Sequence, residues 1–309
     1  MKIRCLCYSF VVNDLNANRS ADYLSDHERW LALQHALADR RAADAFTIFR
    51  SHGIEPILIK GPAAALMFPE GRFRYSTDID LAFAEADFAA AKALFAEASH
   101  SGLPIDPHCG LRSFDATPWD TLFGRSRLVE IGGTSIRVLT EEDHLRLLCV
   151  HWLIDGGWNK DRLWDIYYAV KNRAVDFDWN ICLNSVSSKR RRWIICVLGL
   201  AHKYLGLELD GLPFADDAKN IPGWVFRAVE KEWRTVQIRP LSHFLNDPKM
   251  FIAQLRKRIP PNPLRSVVEM EGNIDARIRL HYQIGLIFRR MGPGLFKIFR
   301  SARDKTKIL

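Results

Sequence analysis

The segment at residues 57–83, ILIKGPAAALMFPEGRFRYSTDIDLAF, constrains the fold more than any other part of the chain. Its pattern predicts a buried strand, a tight turn at Lys60-Gly61, a short helix, a basic loop and a second strand. Asp78 and Asp80 stand two residues apart on that second strand, so both point to the same face. Neighbouring carboxylates repel each other, and a divalent cation with a polyanionic ligand resolves that repulsion.

The residues around the acidic strand fit a phosphate site. Gly61 permits a close approach of the backbone, and the helix start after it presents free N–H groups beside Lys60. A solvated loop lysine is the alternative for Lys60. Arg72 and Arg74 come shortly before the acidic strand, where one or both reach phosphate oxygens, and Ser76 offers a hydrogen bond. These features predict binding of a nucleoside triphosphate with Mg²⁺.

The same motifs resemble a known family. An arginine at position 72 or 74, together with the runs Leu58-Ile59-Lys60-Gly61 and Asp78-Ile79-Asp80-Leu81, is similar to the polymerase-β-type nucleotidyltransferase superfamily. The similarity is closer to a bacterial branch of that superfamily, which has an L-K-G turn and a D-[IL]-D-L strand. It covers residues 25–210, with further motifs at Ile105–His108, Val138–His144, Arg162–Ile166 and Phe177–Trp179.

The resemblance implies an enzyme that moves a nucleoside monophosphate from a triphosphate donor to an unknown acceptor hydroxyl, phosphate or amine. It implies two Mg²⁺ ions, with Mn²⁺ as a possible substitute. Asp78 and Asp80 would hold the metals. Asp106 would be the third carboxylate, which binds the catalytic metal or takes the proton of the acceptor. His108 would orient the acceptor or a phosphate, or it is a simple polar strand residue.

The proline that follows Asp106 constrains the geometry of its strand. Pro107 removes a hydrogen-bond donor from the ladder, and it therefore confines this strand to a sheet edge or a bulge. A surface or turn carboxylate is the alternative for Asp106, and Glu130 is the reserve candidate for the third carboxylate.

The sequence predicts an α+β fold, in which a polymerase-β-like mixed sheet with flanking helices precedes an all-helical domain. We divide the chain into an uncertain segment 1–24, a catalytic domain 25–140, a helical domain 141–222 and a basic helical region 223–309. Predicted strands lie at 57–59, 78–83, 103–111, 127–131 and 134–139. Predicted helices lie at 25–52, 87–99, 141–154, 160–173, 178–184, 188–205, 223–233 and 263–290, and residues 210–225 look like a connector.

A group of aromatic and charged residues marks the helical half. We interpret its tryptophans as core residues more readily than ligands, and Arg162 as the ion-pair partner of Asp165 at i−3. A group that faces a cleft and touches nucleotide or acceptor is the alternative. The group comprises His151, Trp152, Trp158, Arg162, Trp164 and Asp165.

Charge and composition limit the classes of partner that the protein is expected to have. The formal net charge is +8, and residues 251–309 hold 13 Lys and Arg against 4 Asp and Glu, an excess of 9. This basic region indicates either a solvated helix face or an anionic partner such as nucleic acid or a membrane surface. No apolar run is long enough to span a bilayer. The start of the chain resembles a signal peptide but has no cleavage site, so we expect that it is not a signal peptide.

Six cysteines without C-x-x-C spacing predict reduced, mostly buried thiols and a cytoplasmic protein. Two alternatives to the enzyme stay open. One is a non-catalytic protein that binds nucleotide or polyanion on the same scaffold. The other is a toxin-like transferase that modifies protein or tRNA. An inactive copy usually loses one of the paired aspartates, and this chain keeps both.

Overall fold

The first half of the chain forms a single mixed sheet. A computed structural model describes residues 25–100, 103–112, 114–235, 238–239, 244 and 247–290. The strands are β1 (Ile57–Leu58), β2 (Ile79–Phe83), β3 (Ile105–Cys109), β4 (Arg127–Ile131) and β5 (Thr134–Val138). Their order in the sheet is β3-β2-β1-β5-β4. The pairs β2–β3 and β1–β5 are parallel, whereas β1–β2 and the β4–β5 hairpin are antiparallel.

Helices flank this sheet and then make up the second half of the chain. The first half contains α1 (Asp26–Ser51), α2 (Pro62–Ala65), α3 (Phe88–His100) and α4 (Trp119–Arg125). After β5 come α5 (Glu141–Ile154), a 3₁₀ turn (Lys160–Arg162), α6 (Leu163–Lys171), α7 (Trp179–Asn184), α8 (Ser188–Leu205), α9 (Ala215–Lys219), α10 (Gly223–Arg234), α11 (Pro248–Arg258) and α12 (Pro263–Glu269). Residues 280–290 are also helical. The α+β prediction is confirmed, whereas the division into domains stays a prediction.

Local sequence explains where the long helices begin. Ser25 forms a capping box with Glu28 at the start of α1, because the side chain of each residue accepts a hydrogen bond from the backbone N–H of the other. Thr140 and Ser187 form simple caps of α5 and α8, because each hydroxyl oxygen accepts a hydrogen bond from a backbone N–H in the first turn of its helix. Gly206 ends α8 in the left-handed conformation.

The two faces of the sheet pack against different helices. Leu81 and Phe83 of β2 lie in a core with α1 and α3. Ala82 lies on the opposite face, in a core that includes Leu147 of α5. Because side chains alternate along a strand, Asp80 shares the face of Ala82. The acidic strand therefore directs its buried carboxylate towards the helical half.

Helix α8 forms the centre of the helical half. It packs against α5, α6 and α9, and its side chains from Trp193 to Leu198 are fully buried. Gly199 lies where α9 crosses α8, and a Cβ added there would stand 2.0 Å from the carbonyl oxygen of Ala218. The indole of Trp193 donates a hydrogen bond to the carbonyl of Gly272, 3.0 Å away. The end of α12 is thereby held against α8.

Most predicted elements are confirmed, but the C-terminal ones need correction. The predicted helix 263–290 is wrong, because α12 ends at Glu269 and the helix resumes only at residue 280. Glu271 has a positive φ of 49°, so the chain turns out of the helix before Gly272. Periodicity also missed α4, α9 and α11, which have 7, 5 and 11 residues. The first two are too short for a clear helical period.

The predictions for the cysteines and for membrane-spanning segments can be compared with the structure. Cys149, Cys182 and Cys196 are buried free thiols, while Cys109 is exposed and also free. Among the described residues, no helix is long and apolar enough to cross a membrane. The predictions for residues 1–24 and for the tail beyond residue 290 lie outside the described residues.

The close crossing of α8 and α9 predicts that Gly199→Ala destabilises the protein by roughly 1–3 kcal/mol, because a methyl group overpacks this contact. Urea unfolding followed by circular dichroism measures the change. Gly124→Ala on α4 is the matched control, because no atom lies within 4 Å of its added Cβ. A helical Gly→Ala change there is expected to be neutral or to stabilise by up to about 1 kcal/mol. Equal midpoints for the two variants would contradict the α8–α9 packing.

Candidate active site

The turn after β1 brings the chain close to the acidic strand. Gly61 adopts φ 60° and ψ −123°, a conformation that strains any residue with a Cβ. A Cβ there would also stand 3.1 Å from the hydroxyl of Ser76 and 3.4 Å from the carbonyl oxygen of Asp78. Pro62 then begins α2, as predicted. Glycine at this turn therefore allows the backbone of β1 to lie against the residues that precede β2.

Asp80 is the buried centre of the site. Its carboxylate contacts the ammonium of Lys60, and His108 Nε2 lies 3.3 Å from its Oδ1. Burial raises the pKa of Asp80, but the hydrogen bond from His108 and the charge of Lys60 outweigh burial and lower the pKa to about 2. Asp80 is therefore an ionised carboxylate held by two basic groups.

Asp106 and His108 stand beside Asp80 on the neighbouring strand. The parallel register pairs Asp80 with Asp106, and His108 Nε2 lies 3.6 Å from Asp106 Oδ2. Strand β3 is an edge strand, which confirms the restriction expected from Pro107. Burial raises the pKa of Asp106, and the nearby charge of Asp80 raises it further against the charge of His108.

These three residues fit a divalent metal ion. One ligand atom from each of Asp80, Asp106 and His108 lies within 4.8 Å of the other two. Carboxylate oxygens suit Mg²⁺ and Mn²⁺, and an imidazole nitrogen suits transition metals. Asp78 lies outside this group. It is exposed just before β2 and lines the adjoining cavity, so its predicted role as a metal ligand stays a prediction.

The two predicted arginines have different surroundings. Arg74 is buried and forms a bidentate ion pair with Asp165 of α6, with both N–O distances 2.8 Å. Its guanidinium also donates to the carbonyl of Gly61 at 3.2 Å. Arg72 lies over the rings of Trp164 and Tyr168 instead. The predicted contact of each arginine with nucleotide stays a prediction.

The expected ion pair between Arg162 and Asp165 is confirmed, with a distance of 3.6 Å between the two groups. The closer and bidentate partner of Asp165, however, is Arg74. Sequence reasoning found the i−3 neighbour because that spacing is local, whereas Arg74 is 91 residues away. The Arg74–Asp165 pair joins the loop before β2 to the helical half. Glu130 lies on β4, separated from β2 by β1 and β5, so it does not join the site.

A cavity of about 310 Å³ lies between the sheet and the helices. Its sheet side is lined by Lys60, Gly61, Arg74, Ser76, Thr77, Asp78 and Asp80. Its helical side is lined by Leu148, His151, Trp152, Asp155, Trp158, Asn159, Arg162 and Asp165. The structure thus gathers most predicted site residues with the aromatic and charged group of the helical half. Arg72, Asp106 and His108 are not part of this lining.

His151 connects the two sides of the cavity. Its Nε2 lies 3.1 Å from the ammonium of Lys60, and its Nδ1 lies 3.5 Å from Asp155 Oδ2. Burial, and after it the charge of Lys60, lower the pKa of His151 to about 3. The imidazole is therefore neutral at pH 7. Sequence reasoning missed Asp155, whose i,i+4 spacing from His151 on α5 was the available signal.

Comparison with known proteins identifies the class of protein. The model of a family described as uncharacterised nucleotidyltransferase matches residues 9–102, which contain the Lys60-Gly61 turn, Asp78 and Asp80. The chain is a nucleotidyltransferase and thus an enzyme, as its motifs predicted. The match ends before Asp106, and the narrower bacterial branch stays a prediction. A search of curated proteins and a search of solved structures each found no match.

The buried ion pair predicts a large effect of Arg74→Met, because the variant leaves the charge of Asp165 buried without its partner. We expect a loss of about 3–5 kcal/mol of unfolding free energy, measured by urea denaturation. Arg40→Met is the control, since it breaks a solvent-exposed pair with Asp44 and should cost less than about 1 kcal/mol. The double variant Arg74→Met/Asp165→Leu should regain most of the loss. A loss equal to that of the control would contradict the pairing.

The Lys60–His151 contact predicts that Lys60→Met raises the pKa of His151, because a positive charge that disfavours the imidazolium is removed. The measurement is an NMR titration of the His151 ring protons between pH 7 and pH 4. Over that range the ring should stay neutral in the wild type and begin to protonate in the variant. Lys92→Met on α3 removes an exposed lysine elsewhere and should leave the titration of His151 unchanged. An identical titration in Lys60→Met would contradict the contact.

Proposed function

We propose that this enzyme transfers a nucleoside monophosphate from a nucleoside triphosphate to an acceptor hydroxyl, amine or phosphate, with Mg²⁺ as the metal. The observation that carries the proposal is the meeting of Lys60, Asp78 and Asp80 at one cavity, with Asp106 and His108 beside Asp80. Positive and negative groups at close range suit a triphosphate together with a metal ion.

The cations of the cavity would bind the triphosphate. Lys60 now contacts Asp80, and bound phosphate oxygens would offer its ammonium a second set of partners. Arg162 lines the same cavity, and its contact with Asp165 is the longer one, at 3.6 Å. Burial, and after it the like charge of Arg74, lower the pKa of Arg162. A bound anion would compensate a guanidinium charge that burial disfavours.

The small and polar groups of the turn would complete donor binding. Gly61 and Ser76 both line the cavity, where the backbone of the turn and the Ser76 hydroxyl would meet the phosphates. Arg74 would act by holding Asp165 and the Gly61 carbonyl in place. The exposed ring of Trp158 at the helical side offers an apolar surface to the rest of the nucleotide.

The carboxylates would hold the metal ions. Asp80, Asp106 and His108 would bind one ion, and Asp78 with Asp80 would bind a second; Mn²⁺ is an alternative to Mg²⁺. A bound metal ion stabilises negative charge on the attacking and leaving oxygens. Lys60 and Arg162 would neutralise the charge of the departing pyrophosphate. The protein therefore contributes mainly through positioning and charge.

The reaction would be an in-line displacement at the α-phosphorus. The acceptor oxygen forms a bond to phosphorus, and the bond from that phosphorus to the bridging oxygen of the β-phosphate breaks. Pyrophosphate leaves with the electron pair. Asp106 would take the proton of the acceptor. A cytoplasmic location belongs to this proposal as well.

Isothermal titration calorimetry tests the proposal with ATP, GTP, CTP and UTP in the presence of Mg²⁺. We expect one nucleotide to bind to the wild type and the double variant Asp78→Asn/Asp80→Asn to weaken that binding by at least tenfold, because the carboxylates for the metal are lost. Asp44→Asn on α1 makes the same chemical change away from the cavity and should bind like the wild type. Loss of binding in the control as well would point to misfolding.

Absence of binding by folded wild type for all four nucleotides would overturn the donor assignment. Nucleotide binding without Mg²⁺, equal in wild type and double variant, would support the non-catalytic alternative. A radiolabelled α-phosphate that appears on tRNA or on a protein would instead support the toxin-like transferase.

A further inference from the structure

A second cavity of about 290 Å³ adjoins the candidate active site. It is formed by the end of α5 together with α10, α11, the start of α12 and the helical residues near 287–290. Asp155 lines both cavities. One carboxylate therefore stands where the two spaces meet, and a molecule in the second cavity would lie next to a nucleotide in the first.

The wall of the second cavity is largely apolar. Ile238, Ile259, Pro261 and Ile287 all contribute to it. Ile259 is 63% exposed and Ile238 is 42% exposed, although both border a concave surface. Apolar side chains around a cavity of this size are typical of a site for a small organic molecule. The volume matches a small ligand and is too small to enclose a polymer.

The charged side chains of this cavity are mostly positive. It is lined by four cations, Lys257, Arg258, Arg265 and Arg290, but by two carboxylates, Asp155 and Glu232. This imbalance favours a ligand with negative charge.

The ion pairs around the cavity leave positive charge in excess. Glu232 pairs with Lys257 at 2.8 Å. Arg265 and Arg290 share a single carboxylate, Glu269, at 2.5 and 2.7 Å.

Arg258 has neutral partners within the part of the chain that the structure describes. Its guanidinium donates to the carbonyl oxygen and the side-chain oxygen of Gln254, at 2.8 and 2.9 Å. It also donates to the carbonyl oxygen of Arg239, at 2.5 Å. Its positive charge is thus oriented by hydrogen bonds and is not compensated by a carboxylate there.

We propose that the second cavity binds the acceptor, and that the acceptor is a small organic anion. Its apolar body would cover the isoleucines, and its acidic group would pair with Arg258 and Arg290. Its nucleophilic group would extend past Asp155 into the first cavity. This inference rests on the proposed function, because an acceptor site has meaning only beside a nucleotide donor.

Contacts connect this cavity to the metal-binding carboxylates. Asp155 Oδ2 lies 3.5 Å from His151 Nδ1, His151 Nε2 lies 3.1 Å from Lys60, and Lys60 contacts Asp80. Two side chains therefore separate Asp155 from Asp80. An acceptor held at Asp155 has a short, polar path to the site that we assign to the nucleotide.

The test uses 8-anilinonaphthalene-1-sulfonate, an apolar anion whose fluorescence rises on binding. We expect one molecule to bind to the wild type, and the double variant Arg258→Gln/Arg290→Gln to weaken binding by at least fivefold. Arg256→Gln/Arg289→Gln makes the same charge change on the same two helices, outside the cavity, and should bind like the wild type. The uncharged analogue N-phenyl-1-naphthylamine should bind equally to both double variants.

Competition with nucleotide determines which of the two cavities the probe occupies. Saturating ATP, GTP, CTP or UTP with Mg²⁺ should leave the probe bound, because the two cavities are distinct. Displacement by a nucleotide with the stoichiometry of one site would overturn the inference. Equal weakening in the two double variants, or no probe binding at all, would overturn it too. Matching thermal melts of the variants exclude unfolding as the cause.

The two hypotheses fail in different ways. If nucleotide binds but the probe does not, only this inference is overturned. If the probe binds as expected but no nucleotide does, the proposed function is overturned and the acceptor role is lost with it. Binding of both at the same time supports both hypotheses.

Discussion

The contact between Lys60 and Asp80 is the interaction on which the rest of the site depends. It joins the turn after β1 to the acidic strand, and it keeps a buried carboxylate ionised by placing a positive charge beside it. A buried charge without a partner is strongly unfavourable, so Asp80 requires the partners that His108 and Lys60 supply. His108 and His151 approach the same pair from the edge strand and from α5. The turn, the edge strand and the helical half therefore converge on one carboxylate.

A second buried pair holds the two halves of the chain in register around the cavity. Arg74 comes from the loop before β2, and Asp165 comes from α6. Because both are buried, their geometry fixes how α6 approaches the sheet, and with it the positions of Arg162 and the Gly61 carbonyl. Charge at this site therefore serves architecture as well as the ligand binding that we propose. A basic residue beside the proposed phosphate site need not itself contact phosphate.

Local patterns allowed much of the first half to be predicted. Alternation along β2 placed Asp80 opposite Leu81, and the burial of both residues on different faces follows from that alternation. Pro107 predicted an edge strand because proline lacks the N–H that a central strand needs. The C-terminal helices were harder to predict. Their ends depend on distant contacts, such as the indole of Trp193 with the carbonyl of Gly272, which periodicity does not contain.

The sequence by itself determined the lysine–glycine turn, the acidic strand and the α+β order of elements, because each follows from the chemistry of residues close together in the chain. Only the tertiary structure decided which side chains meet. It paired Asp165 with Arg74 across 91 positions, placed His151 against Lys60, and let Asp155 line two cavities. Partner choice among buried charges depends on the packing of whole helices on the sheet, and sequence spacing does not encode that packing locally.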